Sequence, residues 1–139
     1  MYKDTVTVYN RYNGVWKGEV LRYVDLNADR AAIVAKYGAD SKDRAKLHIR
    51  YTVNASVYIC GDKTYVEPSA YTGVSGTFTL ASGNNATFFV EGDTGLYSAA
   101  DSAYVDGFYD YANRTWDKCY SVTSAARYSV IPHFEVMGQ

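Results

Sequence analysis

Short stretches in which apolar and polar residues alternate with period two, each stopped by a turn signal, constrain this chain more than any other feature. Asp4-Thr5-Val6-Thr7-Val8-Tyr9 sets Val6 and Val8 on one face of a strand and hydroxyls on the other. Asn13-Gly14 then supplies a hairpin turn before Val15 to Val24 resumes the pattern. Lys46 to Val53 alternates cleanly, and Val57 to Cys60 and Thr64 to Val66 flank Gly61-Asp62-Lys63 as two strands around a tight turn that Pro68 ends. Thr77 to Leu80 and Thr87 to Val90 flank Ser82-Gly83-Asn84-Asn85 and predict another hairpin. Cys119 to Val130 and His133 to Val136 read as strands hinged at Pro132. Tyrosine agrees with this: 15 of 139 residues, which with 5 Phe and 2 Trp bring the aromatics to 16% and favour pleated and interfacial surfaces.

Two segments depart from the pattern. Asp25 to Asp43 gathers Ala28, Ala31, Ala32, Ile33, Val34 and Ala35 before a polar stretch, which fits a short helix or a long excursion between strands. Glu91 to Ala103 is rich in Gly, Ser and Asp and reads as a surface loop before the aromatic segment 104–111. The fold class is all-β with room for one short helix, a small β-barrel or sandwich of about seven or more strands spanning residues 1–139 as one domain.

Composition excludes several function classes. Charged residues are 21% and hydrophobic residues 47% of the chain, an ordinary globular balance. Lys and Arg (14) against Asp and Glu (15) leave a net charge of -1, without the basic excess that drives phosphate binding. No apolar run approaches the roughly 20 residues that cross a bilayer, and no apolar segment follows the polar start as in a secretory signal. Cys60 and Cys119 are too few for a disulfide scaffold and read as reduced, buried thiols; without a secretory signal, the sequons at Asn54, Asn85 and Asn113 read as turn residues.

Catalytic and metal motifs are weak. Asp25-Leu26-Asn27-Ala28-Asp29 imitates the opening of a calcium loop, but Arg30 stands where the loop needs Gly and Lys36 where it needs a bidentate carboxylate. His48 and His133 lack a second ligand at zinc spacing on the same local face, and read as satisfied or interfacial imidazoles. Gly73-Val74-Ser75-Gly76 precedes a strand pattern and lacks the lysine of a phosphate loop. No local signature pairs either cysteine with a histidine. The expectation is a protein that is not an enzyme and takes no cofactor. Tyr104, Phe108, Tyr109, Tyr111 and Trp116 could stack on a flat ligand, but core or interface packing weighs more.

Tyr2-Lys3-Asp4-Thr5-Val6-Thr7-Val8-Tyr9-Asn10-Arg11-Tyr12, Val24-Asp25-Leu26-Asn27, Ala45-Lys46-Leu47-His48-Ile49-Arg50-Tyr51 and Tyr128-Ser129-Val130-Ile131-Pro132-His133-Phe134-Glu135-Val136 together resemble small proteins of tailed-phage and prophage structural modules. The resemblance implies a head–tail joining protein of the stopper or tail-completion type, a small β-barrel that assembles as a homo-oligomeric ring on the connector. It implies portal-side and tail proteins as partners, passage of DNA through the ring without sequence-specific contacts, synthesis in the bacterial host cytoplasm and residence in the virion. A near-neutral protein lets DNA pass where a basic lining would hold it. The second class left open is a monomeric barrel or sandwich that binds a glycan or small ligand through exposed aromatics.

Two segments carry the assembly expectation. The polar excursion 36–43, with Lys36, Tyr37, Gly38, Asp40, Lys42 and Asp43, is the candidate channel or inter-subunit loop. The terminal Ile131, Pro132, His133, Phe134 and Val136 form a Pro-marked strand that could add to a partner's sheet edge.

Overall fold

The first hairpin forms where the alternation and the Asn-Gly turn place it. In the computed structural model, which describes residues 2–38, 42–83 and 86–139, β1 (Asp4–Tyr12) pairs antiparallel with β2 (Val15–Asn27). Asn13 and Gly14 both have positive φ, 51° and 76°, as the tight hairpin turn that matches strand twist requires. Helix α1 (Arg30–Tyr37) follows, then β3 (Ala45–Arg50), β4 (Thr52–Asn54), β5 (Val57–Cys60), β6 (Lys63–Tyr65), β7 (Thr77–Phe78), β8 (Thr87–Glu91), β9 (Ser98–Ala100), α2 (Phe108–Thr115), β10 (Cys119–Tyr128) and β11 (His133–Gly138).

Strands β1, β8, β10, β11, β3 and β2 pair in that order, and β1 pairs back onto β2, so six strands close into a barrel with β9 added on the outer edge of β2. Closure removes the open sheet edges that would otherwise recruit other chains. The expected all-β barrel is present, with two α-helices where one was allowed for. A smaller sheet, β4-β5-β6-β7, with β6 and β7 parallel, contributes Cys60 and Phe78 to the apolar cluster that fills the barrel.

Alternation sends side chains to two separate cores. Val6 and Val8, Leu47 and Ile49, Phe89, Tyr120 and Val122, and Phe134 and Val136 fill the barrel, together with Cys60, Phe78 and Leu80 from the small sheet and its approach. Their strand neighbours Tyr9, Phe88, Val90 and Cys119 point outward, yet are covered by Trp16, Ala99, Phe108 and Ala112 in a second apolar layer between the barrel wall and α2. Gly18 makes room for this layer: a Cβ there would lie 2.8 Å from Tyr9 Cε1 and 3.1 Å from the Leu96 carbonyl. Tyr9 uses that space to donate its hydroxyl to the Leu96 carbonyl at 2.6 Å, and burial pushes its pKa to about 12.

The structure corrects two local readings and adds a helix. Thr77 to Leu80 and Thr87 to Val90 do not form a hairpin, because β7 pairs with β6 and β8 enters the barrel between β1 and β10; Asn84 and Asn85 lie outside the described residues. The segment 91–103, read as a loop, contributes β9, which pairs with β2 from Val15 to Lys17. The aromatic stretch after it forms α2, burying Phe108 and Ala112 one helical turn apart on one face.

Asp101 holds α2 in place. Its Oδ1 accepts from Trp16 Nε1 at 3.0 Å and from the Phe108 backbone N–H at 2.9 Å, the first residue of the helix. These two bonds hold the carboxyl below the usual carboxylate range, with Arg11 at 3.8 Å adding to the effect. A depressed folded pKa stabilises above the unfolded value, about 3.9, and is lost as pH falls through the folded one. Asp101→Asn should therefore lose about 1 kcal/mol at pH 7. Denaturant melts at a series of pH values should show the gap to the native chain closing below about pH 4; a gap independent of pH would show that charge plays no part in holding the helix.

Candidate functional site

Three neighbouring strands bring titratable side chains together on the barrel's outer wall. Because Leu47, Ile49, Phe134 and Val136 face inward, the alternate residues Lys46 and His48 on β3 and His133 and Glu135 on β11 face outward. The register places Asp25 of β2 and Glu135 of β11 on either side of His48, so the three form one rung across the wall. His133 sits two residues before Glu135 on the same face, with Tyr128 stacked on its ring at 5.1 Å between centroids.

The contacts converge on a single carboxylate oxygen. His133 Nε2 lies 3.2 Å and His48 Nε2 3.8 Å from Glu135 Oε2. The other ring nitrogens face acceptors too: His133 Nδ1 is 2.6 Å from the Ile131 carbonyl, and His48 Nδ1 is 3.6 Å from Asp25 Oδ2. Lys46 Nζ stands 3.4 Å from the second oxygen of Glu135. Burial pushes His48 below its ordinary pKa and Lys46 adds to this, outweighing Glu135 and Asp25, so its imidazole is neutral near pH 7. For Glu135 burial acts upward, but the His133 hydrogen bond and the Lys46 charge prevail and leave the carboxyl below its usual range. Among the described residues, His48, His133 and Glu135 are the group whose potential ligand atoms all lie within 4.8 Å of one another.

This overturns one reading of the histidines. His133-Phe134-Glu135 does put a carboxylate on the same strand face as an imidazole, and the i, i+2 spacing within an alternating strand was the available signal. The contribution of His48 required the β3–β11 register, which no local pattern announces. Asp25, considered only as part of a calcium-like loop, instead flanks His48, while the Asn27 side chain accepts from the Asp29 backbone N–H at 2.8 Å as a turn residue.

Beside this wall opens an apolar cleft of about 600 Å³, lined by Leu21, Val24, Ile49, Tyr51, Ile59 and Pro132 among others. Tyr23, 73% exposed, and Ile131, 71% exposed, also line it and stand free on the surface. Tyr23 is the extra residue of a bulge in β2, since Asp4 pairs with Val24 and Thr5 with Arg22. Its φ of 59° is a left-handed conformation that a non-glycine residue adopts at a cost of about 1 kcal/mol or more.

The segments expected to carry assembly are placed as follows. Lys36 and Tyr37 end α1 and Gly38 follows them. Asp40 lies outside the described residues, Lys42 is exposed, and Asp43 accepts from Thr123 Oγ1 of β10 at 2.7 Å, tying the end of the excursion to the barrel. At the other site Ile131 and Pro132 are exposed, but Phe134 and Val136 are buried in the barrel. Strand β11 is bonded on one edge to β10 and on the other to β3, so it has no edge left to add to a partner's sheet. The aromatic segment is also packed: Phe108 is fully buried, with Tyr104, Tyr109, Tyr111 and Trp116 against the outer core. A flat-ligand platform there would need rings that the fold uses to cover its own wall.

The fold and this wall define a small closed-barrel protein with an outward histidine–carboxylate rung beside an apolar cleft. A model of a family of unknown function, DUF6751, matches residues 1–139, and the chain belongs to that family. No curated protein and no solved structure matches it.

Proposed function

We propose that this chain is a non-enzymatic structural subunit of a phage virion, of the head–tail joining kind, which acts by associating with further copies of itself as a ring at the connector. The observation that carries the reading is the open apolar cleft with Tyr23 and Ile131 exposed at its surface. Apolar surface of this kind in a folded domain marks association, and aromatic residues are enriched at the centre of such interfaces. The occupant proposed is a second copy. The barrel has consumed its own strand edges, and the free edge beside the cleft is β4, whose three residues are all exposed and whose Thr52 lines the cleft. A net charge of -1 suits a ring through which DNA must pass without being held.

The test is mass by light scattering and negative-stain imaging, for the chain alone and mixed with the portal-side and tail proteins of the same virion. A ring in either setting supports the role, and Tyr23→Asp with Ile131→Asp, both surface changes, should abolish it while leaving the melting temperature near that of the native chain. A monomer in every mixture, or a ring indifferent to the double substitution, overturns this reading.

A further inference from the structure

We propose that His48, His133 and Glu135 bind a divalent transition-metal ion, zinc in the first instance, on the outer wall of the barrel, with one coordination position left to solvent. The inference does not rest on the assembly role.

The orientation and spacing of the side chains carry it. The four ring nitrogens face three oxygen atoms: the Ile131 carbonyl, Asp25 Oδ2, and Glu135 Oε2, which both rings share. A carbonyl can only accept, so His133 Nδ1 carries a hydrogen toward Ile131, which leaves Nε2 as the nitrogen directed at Glu135. That nitrogen lies 3.2 Å from Glu135 Oε2, and the ligand atoms of His48, His133 and Glu135 all lie within 4.8 Å of one another. His48 repeats the arrangement at longer range, with Asp25 facing its Nδ1 and its Nε2 turned toward the same oxygen. Each histidine thus has its outer nitrogen aimed at an oxygen and its inner nitrogen aimed at the common point, which is how metal-ligating histidines are oriented by their surroundings.

The dimensions suit the ion. Zinc takes imidazole nitrogen and carboxylate oxygen at about 2.0–2.2 Å, which in a tetrahedron separates ligand atoms by about 3.3–3.6 Å. The two nitrogen–oxygen distances, 3.2 and 3.8 Å, bracket that spacing. Two imidazoles and a carboxylate are the donor set of open zinc sites, in which water holds the fourth position. The side chains of His48, His133 and Glu135 are between 16% and 24% exposed, so an ion can enter from solvent. Lys46 opposes the cation, yet its contact is with Oε1, the oxygen the histidines do not face.

The experiment is calorimetric titration of zinc chloride into the untagged full chain, with cobalt(II) absorption as an independent readout. One zinc per chain, and visible cobalt bands of tetrahedral intensity that zinc abolishes, are expected. His48→Ala, His133→Ala and Glu135→Gln should each weaken binding by more than about tenfold, and Asp25→Asn, which touches only an orienting partner, by about tenfold. Lys46→Met should tighten it, since it removes a charge beside the carboxylate and no ligand. If a variant is unfolded by circular dichroism, the native chain decides alone. No saturable zinc heat up to on the order of 1 mM and no cobalt band, or affinity unchanged in folded His48→Ala and His133→Ala, overturns the site.

Discussion

A chain ending at Val130 is expected to show no cooperative unfolding transition. The removed segment contains β11, which sits between β10 and β3 and bonds to both. Without it the barrel opens along two strands, and the interior loses Phe134 and Val136, both buried. Each such side chain contributes about 2–5 kcal/mol by comparison with large-to-small core substitutions. The exposed strand edges add further losses, and the total exceeds much of the roughly 5–15 kcal/mol that holds a domain folded. The Arg44 N–H would also lose its bond to the Gly138 carbonyl, and Ser121 the paired bonds with Gln139. Near-ultraviolet circular dichroism and a thermal melt read the outcome. A sharp transition at a temperature close to that of the full chain would mean that the barrel does not need this stave, and the closed topology would be wrong.

Phe88→Ala and Phe89→Ala, neighbours in sequence, should each cost about 3–5 kcal/mol but damage different parts of the molecule. For a chain of this size that corresponds to a fall in Tm of roughly 10–20 °C. Phe89 is buried inside the barrel against Tyr120, at 5.5 Å between ring centroids. Phe88 is buried on the other side of the same strand, with Tyr9 and Trp16 at 4.9 Å and Tyr109 of α2 at 5.0 Å. Both tryptophans belong to that outer layer, Trp16 within it and Trp116 packed against it. Native-state tryptophan emission should therefore shift in Phe88→Ala at temperatures well below its melt, and stay unchanged in Phe89→Ala until the chain unfolds. Equal native emission in the two variants would argue against a separate outer core.

What was legible in the chain was local. Thr-Val alternation and Asn13-Gly14 suffice for the β1–β2 hairpin, because a period of two and a turn that needs positive φ are properties of neighbouring residues. The hairpin expected around Ser82-Gly83 failed for the opposite reason: strands 77–78 and 87–91 find partners in different sheets, the second of them some eighty residues away. Helix α2 was hidden because Tyr and Phe favour strands on average, while burial of Phe108 and Ala112 against the barrel decides the conformation here. The histidine site divides in the same way. His133 and Glu135 could have been paired from their spacing, whereas His48 and Asp25 reach them only through register across three strands.

The two cysteines lie on opposite sides of the barrel wall, Cys60 in the interior cluster and Cys119 in the outer one, and burial raises each thiol to about 12. At neutral pH neither sulfur is a thiolate in the folded chain, and both residues are buried, Cys60 beside the apolar cleft. A pulse of alkylating agent followed by peptide mapping can therefore time the opening of each layer separately, with the protein supplying one built-in label for its barrel and one for the shell around it.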